Sequence, residues 1–584
     1  MNPLEKIVWI GCLENAVRYE GKVNIKAVMG KILAQNAEYR SKAPEVKSVV
    51  EKVALEVEKL PKNEQEKKLL DLNPEWKPPE IKHGPEKKIL PDLPNVSGPV
   101  VMRLAPYPSG ALHIGNARMI VLNDEYVKRY NGKMILFFDD TIGTSAAGLA
   151  SDPDAKFIVP EAYDLIEEGL KWLGVTVHER YWKSDRVDIY QKYARELIER
   201  GEAYVCTCEA DEFRTKYKQI GVDCPDRSVS VEENLTRWEK MLDGTYAEGK
   251  AVVRLKTGMQ LKNPAIRDHI IMRISEAPHP RIGTKCRVWP ILDFSWGIDD
   301  HLIGVTHILR GLDLQKEGEV ERMIWKIMGW PDREMILYGR LNFSSEYKLS
   351  KTFQRQKIQE GEFLGWDDPR TWSMQSLAKR GIQPEALREA LLDLGLSKRE
   401  IDFDKSWVYA KNTKLIDPQS DRIFFVQNPV KMHVTDIPFD NLVAKPLKNP
   451  SLVEKGTREI PVPIENGLLD VYVTKEDLPA TPVGTQIRLK DLFTIEVATV
   501  GKEVQAKFFK KELEEHSEAS KIQWVKVQDN IKVNILQPDG ITTTGFAEKT
   551  LTNMKQGAFA QFERYGYVRI IKKQKGNILC YFIN

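Results

Sequence analysis

The chain has little cysteine: six residues in 584, with no dense framework. A disulfide-stapled scaffold is excluded, and a reducing compartment is the expectation. It has no apolar run near the roughly 20 residues that a helical membrane span needs, so no membrane association is expected. The first residues, Met-Asn-Pro-Leu-Glu-Lys, lack the apolar stretch of a signal peptide, which points to a cytoplasmic protein. Net charge is also small, 87 Lys and Arg against 84 Asp and Glu, or +3. Blanket affinity for nucleic acid does not follow from that balance, although local patches can still exist. What is present is ordinary for a globular chain, 42% hydrophobic and 29% charged. Its length exceeds one hydrophobic core, so several domains are expected.

The pattern along the chain divides it. Residues 1–70 read as helical, with Val46, Val49, Val50, Val53, Val57 and Leu60 on one face. Residues 71–99 hold seven prolines and read as a linker. Apolar runs then alternate with helical ones. Residues 100–105 and 134–139 read as buried strands, and 160–173 and 187–200 as helices ended by Gly174 and Gly201. Such alternation predicts a parallel sheet with crossover helices, whose ligands sit at the carboxyl ends of strands. Residues 202–285 break the alternation and read as an insertion. The strand pattern returns at 286–294 and 306–311, so 100–201 and 286–353 make one α/β domain. Residues 354–410 are helical. From 411 to 584 short β-rich runs predict one or two β-barrels.

Two short stretches carry the chemistry. Arg103-Leu-Ala-Pro106-Tyr-Pro-Ser109-Gly110-Ala-Leu-His113-Ile-Gly115-Asn116 lies between a strand and a helix. Lys348-Leu-Ser350-Lys351 follows a later strand. A helix N-terminus offers free N–H groups and a positive dipole end to phosphate. Gly110 and Gly115 let a flat base or ribose lie against the backbone. His113 can donate to a phosphate oxygen, and Lys348 and Lys351 can neutralise charge as an α-phosphate is attacked. Such catalysis needs positioning and charge stabilisation, with no protein nucleophile. A lone His-x-Gly or Lys-x-x-Lys is commonplace; the two in order, each at a strand end, are much more specific.

Residues 103–116 resemble the HIGH signature of class I aminoacyl-tRNA synthetases, and residues 348–351 resemble their KMSKS loop. Gly304-Val-Thr-His307-Ile-Leu-Arg310-Gly311, Arg287-Val-Trp-Pro290, Gly365-Trp-Asp-Asp-Pro369 and Gln561-Phe-Glu-Arg-Tyr-Gly-Tyr-Val-Arg569 are similar to glutamyl-tRNA synthetases of the archaeal–eukaryotic branch. The resemblance spans nearly the whole chain. It implies a Rossmann-type catalytic domain, an inserted acceptor-stem-binding domain at 202–285, a helical stem-contact domain at 354–410, and anticodon-binding barrels. It implies ATP with Mg2+, L-glutamate and tRNA(Glu) as substrates. Charging of tRNA(Gln) as well would require an amidotransferase partner. Pro106, Ser109, Gly110, His113, Gly115, Asn116, Ser350 and Lys351 would bind ATP. His113, Asn116, Lys348 and Lys351 would act in catalysis. Arg103, Arg310 and the Asp139-Asp140 pair would face the amino acid, although Arg310 can equally form a salt bridge within the sheet. Arg422 would contact the anticodon.

The chain departs from that family at several pocket positions. Asn116 replaces a second histidine, Tyr107 a smaller or polar residue, Phe137 an arginine and Leu292 a tyrosine. Trp296 stands where a small or polar residue is usual, and Ile142-Gly-Thr follows Asp140-Thr141. A glutamine–tRNA ligase and a non-charging tRNA-binding paralogue are therefore the alternative readings. Separately, Cys206, Cys208 and Cys224 can bind zinc if Asp226 or His279 supplies a fourth ligand. Otherwise they are three reduced, partly buried thiols. Arg254 would face RNA or support its sheet.

Overall fold

The computed structural model describes residues 3–18, 21, 23–25, 28–29, 32, 39, 42–74, 76, 89–142, 157–344, 347–478, 483–511 and 519–584. It divides into two compact units, 1–86 and 87–584.

The first unit contains helices Pro3–Arg18, Ala43–Glu58 and Lys62–Leu72. Val46, Val50, Val53 and Val57 form a buried stripe, and they share a core with Val8, Cys12, Leu13 and Ala16. Spacings of three and four put these side chains on one helix face. Gln65 holds the turn between the last two helices by donating to Val57 O (2.8 Å) and Leu60 O (3.1 Å).

The second unit begins before the expected linker ends. Leu90 and Leu93 are buried in its main core. Tyr126 Oη donates to Pro91 O at 2.9 Å, and Arg129 donates to Leu90 O at 2.9 Å. Prolines rule out a helix there but do not prevent docking. Residues 77–88 of that expected linker lie outside the described residues.

Five strands form the catalytic framework: β1 (Val101–Leu104), β2 (Lys133–Phe138), β3 (Glu179–Trp182), β4 (His307–Gly311) and β5 (Glu334–Tyr338). β1 pairs parallel with β2, β2 with β3, and β4 with β5. The two sheets meet where Thr306 N donates to Val101 O and Val101 N donates to Thr306 Oγ1, both at 2.9 Å. The spatial order is therefore β3-β2-β1-β4-β5, with the reversal beside β1. A doubly wound sheet opens its ligand crevice there, at the carboxyl ends of the strands.

The insertion is an antiparallel sheet of Ala203–Cys206, Val252–Leu255, Ile270–Ile274 and Val288–Pro290. This corrects the strand expected at 286–294. Only Val288–Pro290 is extended, and it pairs antiparallel with Ile270–Ile274. From Leu292 the chain is helical to Leu302. Its apolar residues recur at helical spacing, and Phe294 and Ile298 pack on Val320 and Ile324. Arg254 is buried, its guanidinium 3.4 Å from the Phe213 ring centroid, so it supports the sheet.

Residues 354–410 carry the helices Lys351–Gln359, Met374–Arg380, Pro384–Asp393 and the start of Lys405–Ile416, with the short strand Ile401–Asp402 pairing parallel to Leu341–Asn342. Beyond Gln419 lie two seven-stranded sheets. In one, the edge strands Asp421–Ile423 and Phe425–Gln427 are consecutive in the chain. In the other, the edges Ser520–Ile522 and Val525–Lys526 are likewise consecutive. One bent segment thus supplies both edges of each sheet, and each curls into a barrel.

The bend at Phe424 is held by Glu548. Its carboxylate accepts from Phe424 N and from Arg458 Nε, each at 2.8 Å, with both ionic partners nearly fully buried. Removing one partner of a buried pair costs about 3–5 kcal/mol. Glu548→Ala should lower the melting transition of the C-terminal barrels and speed their limited proteolysis. An unchanged transition would mean that the bend does not depend on this pair.

Candidate active site

After β1 the chain passes Pro106 and Pro108 and enters the helix Ile114–Arg129 with His113 as its N-cap. His113 Nδ1 accepts from Gly115 N, and Asn116 Oδ1 accepts from His113 N, each at 3.1 Å. This reciprocal arrangement satisfies two donors of the first helical turn. It also sets the tautomer: with Nδ1 accepting, the proton resides on Nε2. Burial, helped by the Lys351 charge, pulls the imidazole pKa down to about 3. The ring is therefore neutral near pH 7 and keeps one donor, Nε2–H. Asn116 caps through its oxygen, leaving its amide hydrogens as donors.

Both glycines are required sterically. Gly110 has φ +146°, and a Cβ there would lie 2.2 Å from the Trp366 indole. At Gly115 a Cβ would lie 2.9 Å from His113 Cε1. The flat group against Gly110 is thus Trp366, which the sequence reading quoted only within Gly365–Pro369 and gave no role.

The second motif reaches the first. Lys351 Nζ donates to Gly110 O at 3.3 Å, across 241 positions of chain. Leu349 lies 3.5 Å from the position of a Gly115 Cβ. Ser350 caps the helix Lys351–Gln359 by accepting from Phe353 N, so its hydroxyl is structural here. Lys348 does not converge on the site. It is exposed, with its ammonium 5.3 Å from the Phe353 ring centroid. Buried Tyr347 anchors the loop against Trp372, with centroids 4.7 Å apart. Trp372 O in turn accepts from Ile114 N at 3.0 Å.

On the other side of the crevice the cations are paired. Arg103 grips Asp300 with two hydrogen bonds, Nη2 to Oδ2 at 2.8 Å. Arg310 grips Glu321 with two at 2.7 Å, so the salt-bridge alternative for Arg310 is the arrangement observed. Lys183, fully buried, lies 3.1 Å from Asp139 Oδ1 and donates to Ser295 Oγ at 2.8 Å. The Trp296 indole sits among the three, its centroid 4.6 Å from Arg103, 5.0 Å from Arg310 and 5.1 Å from Lys183. Leu292 lies one turn before it on the same helix. Phe137 is buried and stacks on Tyr181. Ile142 packs on Trp289, while Gly143 and Thr144 lie outside the described residues. Lys183 and Asp300 escaped the sequence reading because each partner is distant in the chain; Glu321 lies only eleven residues after Arg310, across the passage from strand to helix. The adjacent acids Asp299-Asp300 inside an apolar helix were the available signal.

Asp140 acts as a brace. It accepts from Ser184 N and Ser184 Oγ at 2.8 Å and from Tyr163 Oη at 2.9 Å. Its backbone carbonyl is 2.7 Å from His279 Nε2, which removes His279 as a zinc ligand. The ligand atoms of Cys206, Cys208 and Cys224 lie within 4.8 Å of one another. Asp226 Oδ2 accepts from Thr207 N at 2.7 Å and from Cys208 Sγ at 3.6 Å. A hydrogen bond from Cys224 holds the Cys206 thiol below its ordinary pKa, whereas burial pushes Cys208 up to about 11. The Arg422 side chain is 11% accessible and pairs with Asp417 at 2.7 Å.

Two outcomes test this geometry. Gly110→Ala should displace Trp366, shift indole fluorescence and reduce turnover at least tenfold; unchanged emission would refute the contact. Because the His113 pKa is depressed, the folded state binds fewer protons than the unfolded one between about pH 3 and its usual 6.5. Stability supplied by neutral His113 is complete above that window and lost as pH falls through it. Activity should accordingly show no imidazole inflection between pH 6 and 8, and the melting temperature of His113→Asn should fall less steeply below pH 6 than that of the parent.

Three family models match in register with these domains. The class I (E and Q) tRNA synthetase catalytic domain covers residues 99–417. The corresponding anticodon-binding domains cover 420–512 and 521–571. The glutamate–tRNA ligase of Pyrococcus furiosus is 42% identical over 587 residues, 99% of either chain. That of Methanocaldococcus jannaschii is 43% identical over 578 residues, again 99% of either chain. A solved glutamate–tRNA synthetase from Elizabethkingia anophelis aligns at 20% identity and a TM-score of 0.39, over 55% of this chain and 72% of that one. With a catalytic model spanning more than half its length and full-length relatives above 40% identity, this chain belongs to the class I tRNA synthetases of the E and Q group.

Proposed function

We propose that the chain is an ATP-dependent glutamate–tRNA ligase. The observation that carries this reading is the meeting of the two motifs: Lys351 on Gly110 O, beside a neutral imidazole with a free Nε2–H. A carboxylate oxygen of glutamate attacks the α-phosphorus of Mg2+-bound ATP, and the bond to pyrophosphate breaks. His113 Nε2–H, the Lys351 ammonium and the helix N-terminus stabilise the charge that develops on the phosphate oxygens. The terminal ribose hydroxyl of the tRNA then attacks the glutamyl carbonyl, loses its proton, and AMP leaves. The barrels would hold the anticodon end of tRNA. No helix among the described residues is long and apolar enough to cross a membrane; we read the protein as cytoplasmic.

One observation favours the second reading, a tRNA-binding paralogue that does not charge glutamate. Trp296 fills the space among Arg103, Lys183 and Arg310, whose charges already have acidic partners. Labelled glutamate with tRNA(Glu) and tRNA(Gln) separates the readings. Charging of tRNA(Glu) supports the ligase, and charging of both implies an amidotransferase partner. Tight tRNA binding without charging supports the paralogue.

The cysteine cluster fits three corners of a tetrahedral zinc site, with Asp226 the nearest fourth donor. Cys206, Cys208 and Cys224 would hold a structural ion that pins the insertion. Metal analysis of the purified chain should then find about one zinc, lost in Cys208→Ser; its absence would leave three reduced thiols.

His113→Asn retains an acceptor for Gly115 N but lacks the Nε2 donor, and Lys351→Ala lacks the ammonium. Each should slow ATP–pyrophosphate exchange by about 10²–10³-fold, with tRNA affinity within twofold. Equal loss of both would remove these roles.

A further inference from the structure

Arg273 lies within electrostatic reach of the Tyr107 phenol and has no acidic partner among the described residues, whereas Arg355 reaches both that phenol and Glu161. Arg273 lies on the strand Ile270–Ile274, directly opposite Trp289 across the antiparallel pair. Opposed residues share a sheet face. Trp289 packs on Ile142, three positions beyond Asp139, so Arg273 emerges on the face turned toward the end of β2. It is half-buried, and its Nε is fully enclosed with no acceptor. Arg355 lies four residues after Lys351, on the same face of that helix, with its guanidinium 4.7 Å from the Phe157 ring centroid. Tyr107 lies within electrostatic reach of both arginines and of Asp139 and Asp140.

The contrast with the neighbouring cations is chemical. Arg103, Arg310 and Lys183 each have a carboxylate, and Trp296 closes the space between them. A guanidinium drawn out of water without an anion is costly. A planar fork is completed best by a carboxylate held through two parallel bonds. The phosphate end of the crevice is marked by His113, Gly110 and Lys351, whereas Arg273 borders Tyr107 and the end of β2.

We infer that Arg273, with Arg355 also within reach of Tyr107, receives the side-chain carboxylate of the amino-acid substrate. This rests on the ligase reading and adds the group that reads the substrate's charge. Departures at Leu292 and Trp296 then accompany a displaced anion receptor.

The test is steady-state ATP–pyrophosphate exchange with the full chain, L-glutamate and saturating tRNA(Glu). Arg273→Gln should raise KM for glutamate at least tenfold, leave KM for ATP within twofold, and shift preference toward glutamine. Arg273→Lys keeps the charge without the fork and should lie between Gln and the parent. Arg355→Gln should raise KM for glutamate less. An unchanged glutamate KM in Arg273→Gln, or a rise confined to ATP or tRNA, overturns the inference while the ligase reading stands. If Arg273→Gln does not fold, Arg273→Lys decides by the same readout. Absence of exchange in the parent chain overturns both.

Discussion

Two backbone hydrogen bonds organise this molecule. Ile114 N donates to Trp372 O at 3.0 Å, and Met374 N donates to Leu112 O at 2.8 Å. They flank His113, which forms a bridge with Ser373. Through them the helix N-terminus that would face phosphate is joined to a segment more than 250 residues later. Trp372 packs on Tyr347, at the base of the lysine loop. Met374 opens the short helix that ends at Arg380. That helix end is gripped from the barrel that holds the C-terminal strands: Arg569 donates to Ala378 O at 2.6 Å, and Arg380 donates to Ile583 O at 2.9 Å. One strip of chain thus touches the imidazole, the lysine motif and the C-terminal barrel. Its hydrogen bonds to Leu112, Ile114 and Ile583 run to backbone groups of those residues, which fixes its register against both partners.

The crevice itself is governed by desolvation. Arg103, Lys183, Arg310, Asp139, Asp300 and Glu321 are all nearly or fully buried. Such charges persist only when paired with good geometry, and these pairs are largely bidentate or doubly bonded. Trp296 adds an aromatic face to three of the cations, worth up to about 2 kcal/mol each when water is excluded. The same contacts that stabilise the charges also limit their freedom to meet a substrate. Stability and recognition therefore compete for one set of guanidinium groups, and the unpaired Arg273 stands outside that competition.

Much of the architecture was legible because it rests on local rules. The valine stripe of the N-terminal unit, the helix ends at Gly174 and Gly201, and the strands on either side of the first motif follow from periodicity and chain reversal. So does the parallel sheet. The strand expected at 286–294 misled because Val288–Pro290 and the start of the next helix are equally apolar. Only the partner strand at 270–274 distinguishes them, and pairing is non-local. The site divides in the same way. His113, Gly115 and Asn116 sit within one helical turn, so their spacing encodes their contacts. Lys183 and Asp300 were invisible because each acquires its role from a residue far along the chain, and Trp366, though inside a quoted stretch, meets Gly110 only in the fold. For Arg422 the resemblance supplied a role, while its pairing with Asp417, five residues earlier, is seen only in the folded chain.

The glycines show how a motif can be right while its reason is wrong. A bare backbone at Gly110 suggested room for a flat ligand, yet the indole of Trp366 fills that room. At Gly115 the neighbour is the motif's own imidazole. In both places the missing side chain serves the protein's packing first. Trp366 is carried on the segment that Thr371 and Ser373 hold through its carbonyl, the same strip that pins Leu112 and Ile114. The aromatic ring and the imidazole are therefore positioned by one device. A shift of that strip would move the stacking surface and the hydrogen-bond donor together, and the lysine helix with them, because Gln354 Nε2 donates to Thr371 O at 2.8 Å.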